Sequence, residues 1–134
     1  YYKLLNEVPN VRLVPADIST FKLISGAQAV ATLTGSAGLE SLVLSKPVLL
    51  FGFGWYMDCD GVYNVKDVDS CRTALDSILG GYKPNENKVL AFLYAVEEVS
   101  IKGAYSKRYN QFSTVSDDDN SSNLADFLIK TAFI

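Results

Sequence analysis

The stretch Ala29-Val30-Ala31-Thr32-Leu33-Thr34-Gly35-Ser36-Ala37-Gly38-Leu39-Glu40, continued by Ser41 to Leu44 and by Lys46-Pro47-Val48-Leu49-Leu50-Phe51-Gly52, decides the fold of this chain. It reads as an apolar strand over 29–33, a tight turn of small residues, a helix over 37–45 and a second apolar strand over 48–51. Strands apolar on both faces and separated by helices belong to a parallel sheet covered on both sides. The same order aims helix N-terminal amides past the carboxyl edge of the sheet, an arrangement suited to a phosphate.

Outward on the N-terminal side, Tyr1 to Val8 carries apolar residues at helical intervals. Pro9-Asn10 stops this run before Val11-Arg12-Leu13-Val14, a short strand closed by Pro15. Asp17 is expected to cap a helix whose apolar positions are Ile18, Phe21, Leu23 and Ile24, ending at Gly26. The order over this half is therefore β-α-β-α-β.

On the C-terminal side, a loop rich in glycine and aromatics runs from Phe53 to Gly61, and Val62 to Val65 forms a further short strand. Asp67 or Asp69 caps a helix containing Cys71, Leu75, Ile78 and Leu79, ended by Gly80-Gly81. A longer helix follows from Glu86 to about Lys102, with Val89, Leu90, Leu93, Val96 and Val99 along its buried face. Ser116-Asp117-Asp118-Asp119-Asn120-Ser121-Ser122 reads as an exposed polar loop that caps a last helix over 123–132.

The fold class is thus α/β, a Rossmann-like parallel sheet flanked by helices with a helical C-terminal tail. Residues 1–134 form one such domain, with 1–66 as its β/α core and 67–134 mainly helical. The chain has 134 residues, and a domain of this size buries roughly two thirds of the surface that its unfolded form exposes. The 49% hydrophobic and 20% charged composition is that of a globular protein.

Charge and cysteine content exclude several functions. The net charge is −3 and the 12 Lys and Arg are scattered, which argues against binding nucleic acid through its phosphates. Cys59 and Cys71 lack the spacing of a zinc site and the chain has 0 His, so no metal is expected. The longest apolar stretch, 48–57, is far shorter than the roughly twenty residues that cross a bilayer. The start Tyr1-Tyr2-Lys3, without an initiator Met or a signal pattern, reads as a boundary within a longer protein.

The candidate site is the turn and what lies near it. Gly35 and Gly38 have no Cβ, so the backbone turns sharply off the strand and a ligand can approach the amides that follow. Ser36 is placed as N-cap, its hydroxyl available to an orphan amide or to a phosphate oxygen, and the helix terminus adds partial positive charge. Glu40 either complements the helix dipole or accepts hydrogen bonds from ribose hydroxyls. Trp55 and Tyr56, in the loop after the next strand, either wall a pocket for a base or sugar or simply cover the sheet edge. Asp58 and Asp60 read as loop-forming carboxylates.

Pro9 to Pro15, Leu23-Ile24, Ala29 through Gly52 and Trp55-Tyr56 together resemble the C-terminal half of capsular polysaccharide biosynthesis proteins, of the GT-B glycosyltransferase class. The most specific part is Thr34-Gly35-Ser36-Ala37-Gly38-Leu39-Glu40 with Lys46-Pro47-Val48 and Phe51-Gly52, and the resemblance spans about residues 1–66. It implies that Gly35, Ser36, Ala37 and Gly38 face the donor phosphate and Glu40 the donor ribose, and that Tyr56 lines the donor pocket, where Trp55 beside it would also lie. The Lys and His-Pro pair usual on a preceding strand are missing here, as is the N-terminal domain that would bring acceptor and catalytic groups.

The function so implied is transfer of a sugar from a CMP-, UDP- or GDP-linked donor to a glycan acceptor during capsule or surface polysaccharide synthesis. It needs no cofactor and no metal, and its catalytic residues are unknown. The fragment alone is expected to be inactive. The setting would be cytoplasmic, at the inner face of the membrane and without a transmembrane segment. Two other readings share the fold: a nucleotide-sugar 2-epimerase, and a non-catalytic scaffold or regulatory domain.

Overall fold

A computed structural model describes residues 5, 7–104, 106 and 113–132. The chain divides into two compact units, Tyr1–Leu90 and Ala91–Ile134. The elements in order are α1 (Thr20–Gly26), β1 (Val30–Thr32), α2 (Ala37–Val43), β2 (Val48–Leu50), β3 (Val62–Asn64), α3 (Val68–Leu79), α4 (Glu86–Val99) and α5 (Asp117–Ala132). The α/β class with a parallel sheet is as the sequence implies.

The first unit holds a three-stranded sheet in the order β1-β2-β3, with both pairs parallel. Val48 stands between Val30 and Val62, and Leu50 between Thr32 and Asn64. Central β2 is buried along its whole length, as its unbroken Val-Leu-Leu run requires. Helix α2 packs on β1, β2 and α1, and α3 packs on β3. Ile24, Leu42, the three residues of β2, Tyr56, Cys59 and Ala74 form the core.

Several local expectations fail, each for a visible reason. Val11 to Val14 form no strand: these residues are irregular, and Val11, Leu13 and Val14 are exposed. A strand persists only where a neighbour accepts its backbone bonds, and the described sheet has none beside this segment. The following helix starts behind Ser19 rather than Asp17, because Ile18 is tied back to the Pro15 carbonyl in a turn. Strand β1 is half-buried with Ala31 exposed, since its far edge carries no described strand.

Helices α3 and α4 stand where the sequence places them, although Leu75 and Leu79 of α3 are exposed. Asp67 caps α3 through a reciprocal box in which its carboxylate accepts from the Ser70 amide at 2.8 Å while the Ser70 hydroxyl accepts from the Asp67 amide at 3.0 Å. In α4, Val89 is buried and Leu93 and Val96 half-buried, but Leu90 and Val99 are exposed. The expected helix over Tyr1 to Val8 lies largely outside the described residues.

In the second unit the acidic tract is helical, not a loop. Helix α5 begins at Asp117, with Asp117, Asp118 and Asp119 in its first turn. Negative charge is favourable there, and Ser116 Oγ accepts the Asp119 amide at 3.2 Å. Asn120 on this helix accepts the Ala104 amide at 2.5 Å and donates to the Ala104 carbonyl at 2.8 Å, so one amide side chain satisfies a buried backbone residue on both sides.

Candidate functional site

In a parallel sheet all strands end at one edge, and the loops leaving that edge are where open α/β sheets bind ligands. The turn 33–36 leaves β1 there, and the loop 51–61 leaves β2. The two meet: Gly52 lies so close to the Leu33 carbonyl that a Cβ at 52 would sit 2.7 Å from its oxygen.

Within the turn, each polar backbone group of Gly35 is engaged. Its amide donates to Thr32 Oγ1 at 3.1 Å, and its carbonyl accepts the Tyr56 hydroxyl at 2.6 Å and the Gly38 amide at 3.2 Å. Among the described residues, the amides of Leu33, Thr34, Ser36, Ala37 and Leu39 have no protein acceptor in this turn, whereas those of Gly35 and Gly38 are engaged.

Ser36 occupies the N-cap position but does not cap with its side chain. Its backbone is already helical, with φ −61° and ψ −22°, whereas a capping side chain needs extended backbone. Its hydroxyl instead donates to Glu40 Oε1 at 3.2 Å. The carboxylate of Glu40 therefore lies back over the first turn of α2. Ala37 is half-buried, and its carbonyl takes the hydroxyl of buried Ser41.

Tyr56 is the largest correction to the expected site geometry. It is 1% exposed and lies behind the turn, with Gly38 seated on its ring. A Cβ at 38 would run first into the Tyr56 hydroxyl oxygen and would stand 2.8 Å from Cζ and 2.9 Å from Cε2. Gly38 is thus small because of the tyrosine. Burial raises the Tyr56 phenol above its ordinary pKa, which keeps the hydroxyl a donor. Trp55 is 57% exposed and meets Tyr56 edge to face at 5.7 Å.

Asp60, at the end of the same loop, is a structural anchor. Its carboxylate accepts the Asn85 amide at 2.7 Å, Lys88 Nζ at 3.2 Å and the Tyr82 hydroxyl at 3.2 Å. The Asn85 amide foremost, with Lys88 and Tyr82, holds it below the ordinary carboxylate range. Tyr82 is pushed up to about 12 by burial and by Asp60.

A cleft of 460 Å³, which the sequence reading missed, opens beside the carboxyl ends of β2 and β3. Phe51, Val65, Val68, Lys66, Arg72 and Cys71 line most of it. Its only sequence signal is position, since Phe51 and Val65 each follow directly on a strand. Among the described residues no group of three or more His, Cys, Asp or Glu is placed to hold a metal, and no helix is long and apolar enough to cross a membrane.

Residues 1–103 match the family described as capsule polysaccharide biosynthesis protein. The chain belongs to that family. The match reaches well past residue 66, so α3 and all of α4 are part of what this capsule polysaccharide biosynthesis protein shares with its family. No curated protein and no solved structure gives a match. Membership assigns the chain a role in capsule polysaccharide synthesis.

Proposed function

We propose that this chain is the donor-nucleotide side of a GT-B glycosyltransferase, transferring a sugar from a nucleotide sugar to a growing glycan. The carrying observation is that the turn after β1 and the aromatic loop after β2 interlock at one edge of a parallel sheet, in a chain of a capsule-synthesis family. In this reading the donor phosphate lies over Ser36 and Ala37, with the backbone at Gly35 and Gly38 shaping the approach. The Ser36 hydroxyl exchanges the Glu40 carboxylate for a phosphate oxygen, and the released carboxylate meets the ribose hydroxyls.

Trp55, exposed beside the turn, offers a flat face to the donor, and Tyr56 supports it from below. As the donor's bond to phosphate breaks, amides already oriented toward it stabilise the departing charge without reorganising. The protein would work at the inner face of the membrane.

The test is thermal stability of the full-length protein against CMP, UDP, GDP and their sugars. A ligand at a hundred times its Kd stabilises by about 2.7 kcal/mol, a shift of several degrees. One nucleotide class is expected to raise the Tm, and no shift from any of them would overturn the reading.

A further inference from the structure

We propose that Tyr56 is a positioning residue that makes the turn after β1 and the loop after β2 open and close as one body; its use for a donor rests on the function proposed above. The hydroxyl of this buried side chain donates to the Gly35 carbonyl at 2.6 Å, and its ring carries Gly38. One residue of the second loop thus holds the first at two points on either side of Ser36.

The consequence for Ser36 follows from peptide geometry. In a planar trans peptide the carbonyl and the next amide point in opposite directions. Because Tyr56 holds the Gly35 carbonyl inward, the Ser36 amide is directed away from the ring, toward the open side of the turn. The Thr32 hydroxyl fixes the preceding peptide in the same way by accepting the Gly35 amide. Without the tyrosine hydroxyl, the Gly35 carbonyl keeps only the longer bond from Gly38, at 3.2 Å.

The link also runs outward. The loop closes on itself through the Met57 amide to the Gly54 carbonyl, 3.0 Å, and the Cys59 amide to the Tyr56 carbonyl, 3.0 Å. Trp55, the chain's 1 Trp, rests against the Tyr56 ring. A ligand touching Trp55 is therefore mechanically connected to the Gly35–Ser36 peptide, and the indole reports on it.

Residue-resolved amide exchange on the 134-residue chain without nucleotide tests this directly. In the native chain, Gly38, Met57 and Cys59 are expected to exchange through one opening event with a shared dependence on denaturant. Tyr56→Phe should speed all three by about three- to tenfold, the range for one lost hydrogen bond, and shift Trp55 emission. The amides of Val30 and Val65, bonded to the Pro47 and Leu50 carbonyls outside both loops, should keep their rates, which a general loss of stability would not allow. Independent opening of the two loops in the native chain, or unchanged exchange at Gly38 in Tyr56→Phe, would overturn the inference. If Tyr56→Phe does not fold, the native-chain comparison decides alone. A titration of full-length protein with CMP, UDP and GDP tests the proposed function separately, so either idea can fail without the other.

Discussion

Gly38→Ala is the most discriminating change, because local propensity and tertiary packing predict opposite signs. Alanine is the better helix former by at most about 1 kcal/mol, so on α2 considered alone the substitution stabilises. In the folded chain the new methyl would lie 2.8 Å from Tyr56 Cζ and 2.9 Å from Cε2. The ring is 1% exposed and its hydroxyl is committed to Gly35, so it has nowhere to yield without breaking that bond. Overpacking of this kind costs about 1–3 kcal/mol, leaving a net loss of up to about 2 kcal/mol after the propensity gain. In a unit of 60–100 residues each kcal/mol moves the Tm by about 4–8 °C, so a fall of up to about 16 °C is expected by calorimetry or circular dichroism. The double variant with Tyr56→Phe should lose less than the sum of the singles, since the shared contact is counted once. A Gly38→Ala that stabilises by the full propensity gain would refute the seating of Gly38 on the ring.

Two further outcomes follow from the same geometry. Asp60, held below the ordinary carboxylate range by the Asn85 amide, contributes stability that is complete above its unfolded pKa of about 3.9 and is lost as pH falls through the lower folded value. A Tm series from pH 6 to pH 3 should show the gap between wild type and Asp60→Asn closing at the acid end, and a gap that stays constant would remove Asp60 as the source. Glu40→Gln in the full-length protein should weaken nucleotide binding by about tenfold, the scale of one charge-assisted bond, while the Tm without ligand changes little. Unchanged affinity by titration calorimetry would take Glu40 out of the site.

Side-chain patterning along the chain was enough to place the strands at Val30, Val48 and Val62 and the helix over Ala37 to Val43, and to narrow the next helix cap to Asp67 or Asp69, of which the fold uses Asp67. These depend on contiguous residues: an apolar run, a small-residue turn, a carboxylate before a helix. The failures share a cause. Val11 to Val14 has strand composition, but a strand needs a neighbour, and neighbours are a property of the sheet. Leu90 and Val99 satisfy helical periodicity, yet periodicity says which residues share a face and not whether that face is covered. In the acidic tract, three aspartates looked like solvated loop, whereas at a helix N-terminus the same charges favour the helix.

At the candidate site the division is sharper. That Gly35, Ser36, Gly38 and Glu40 share a strand-to-helix turn, and that an aromatic pair follows the next strand, was determined by sequence alone, since both are short-range facts of chain order. That Tyr56 lies beneath the turn and Trp55 beside it, that Ser36 turns to Glu40 instead of capping, and that Gly38 is small to admit a phenol ring were decided only by tertiary structure. The parallel pairing of β1 with β2 brings residues 35 and 56 to one edge, and no local pattern encodes that a phenol hydroxyl reaches a glycine carbonyl twenty-one positions away.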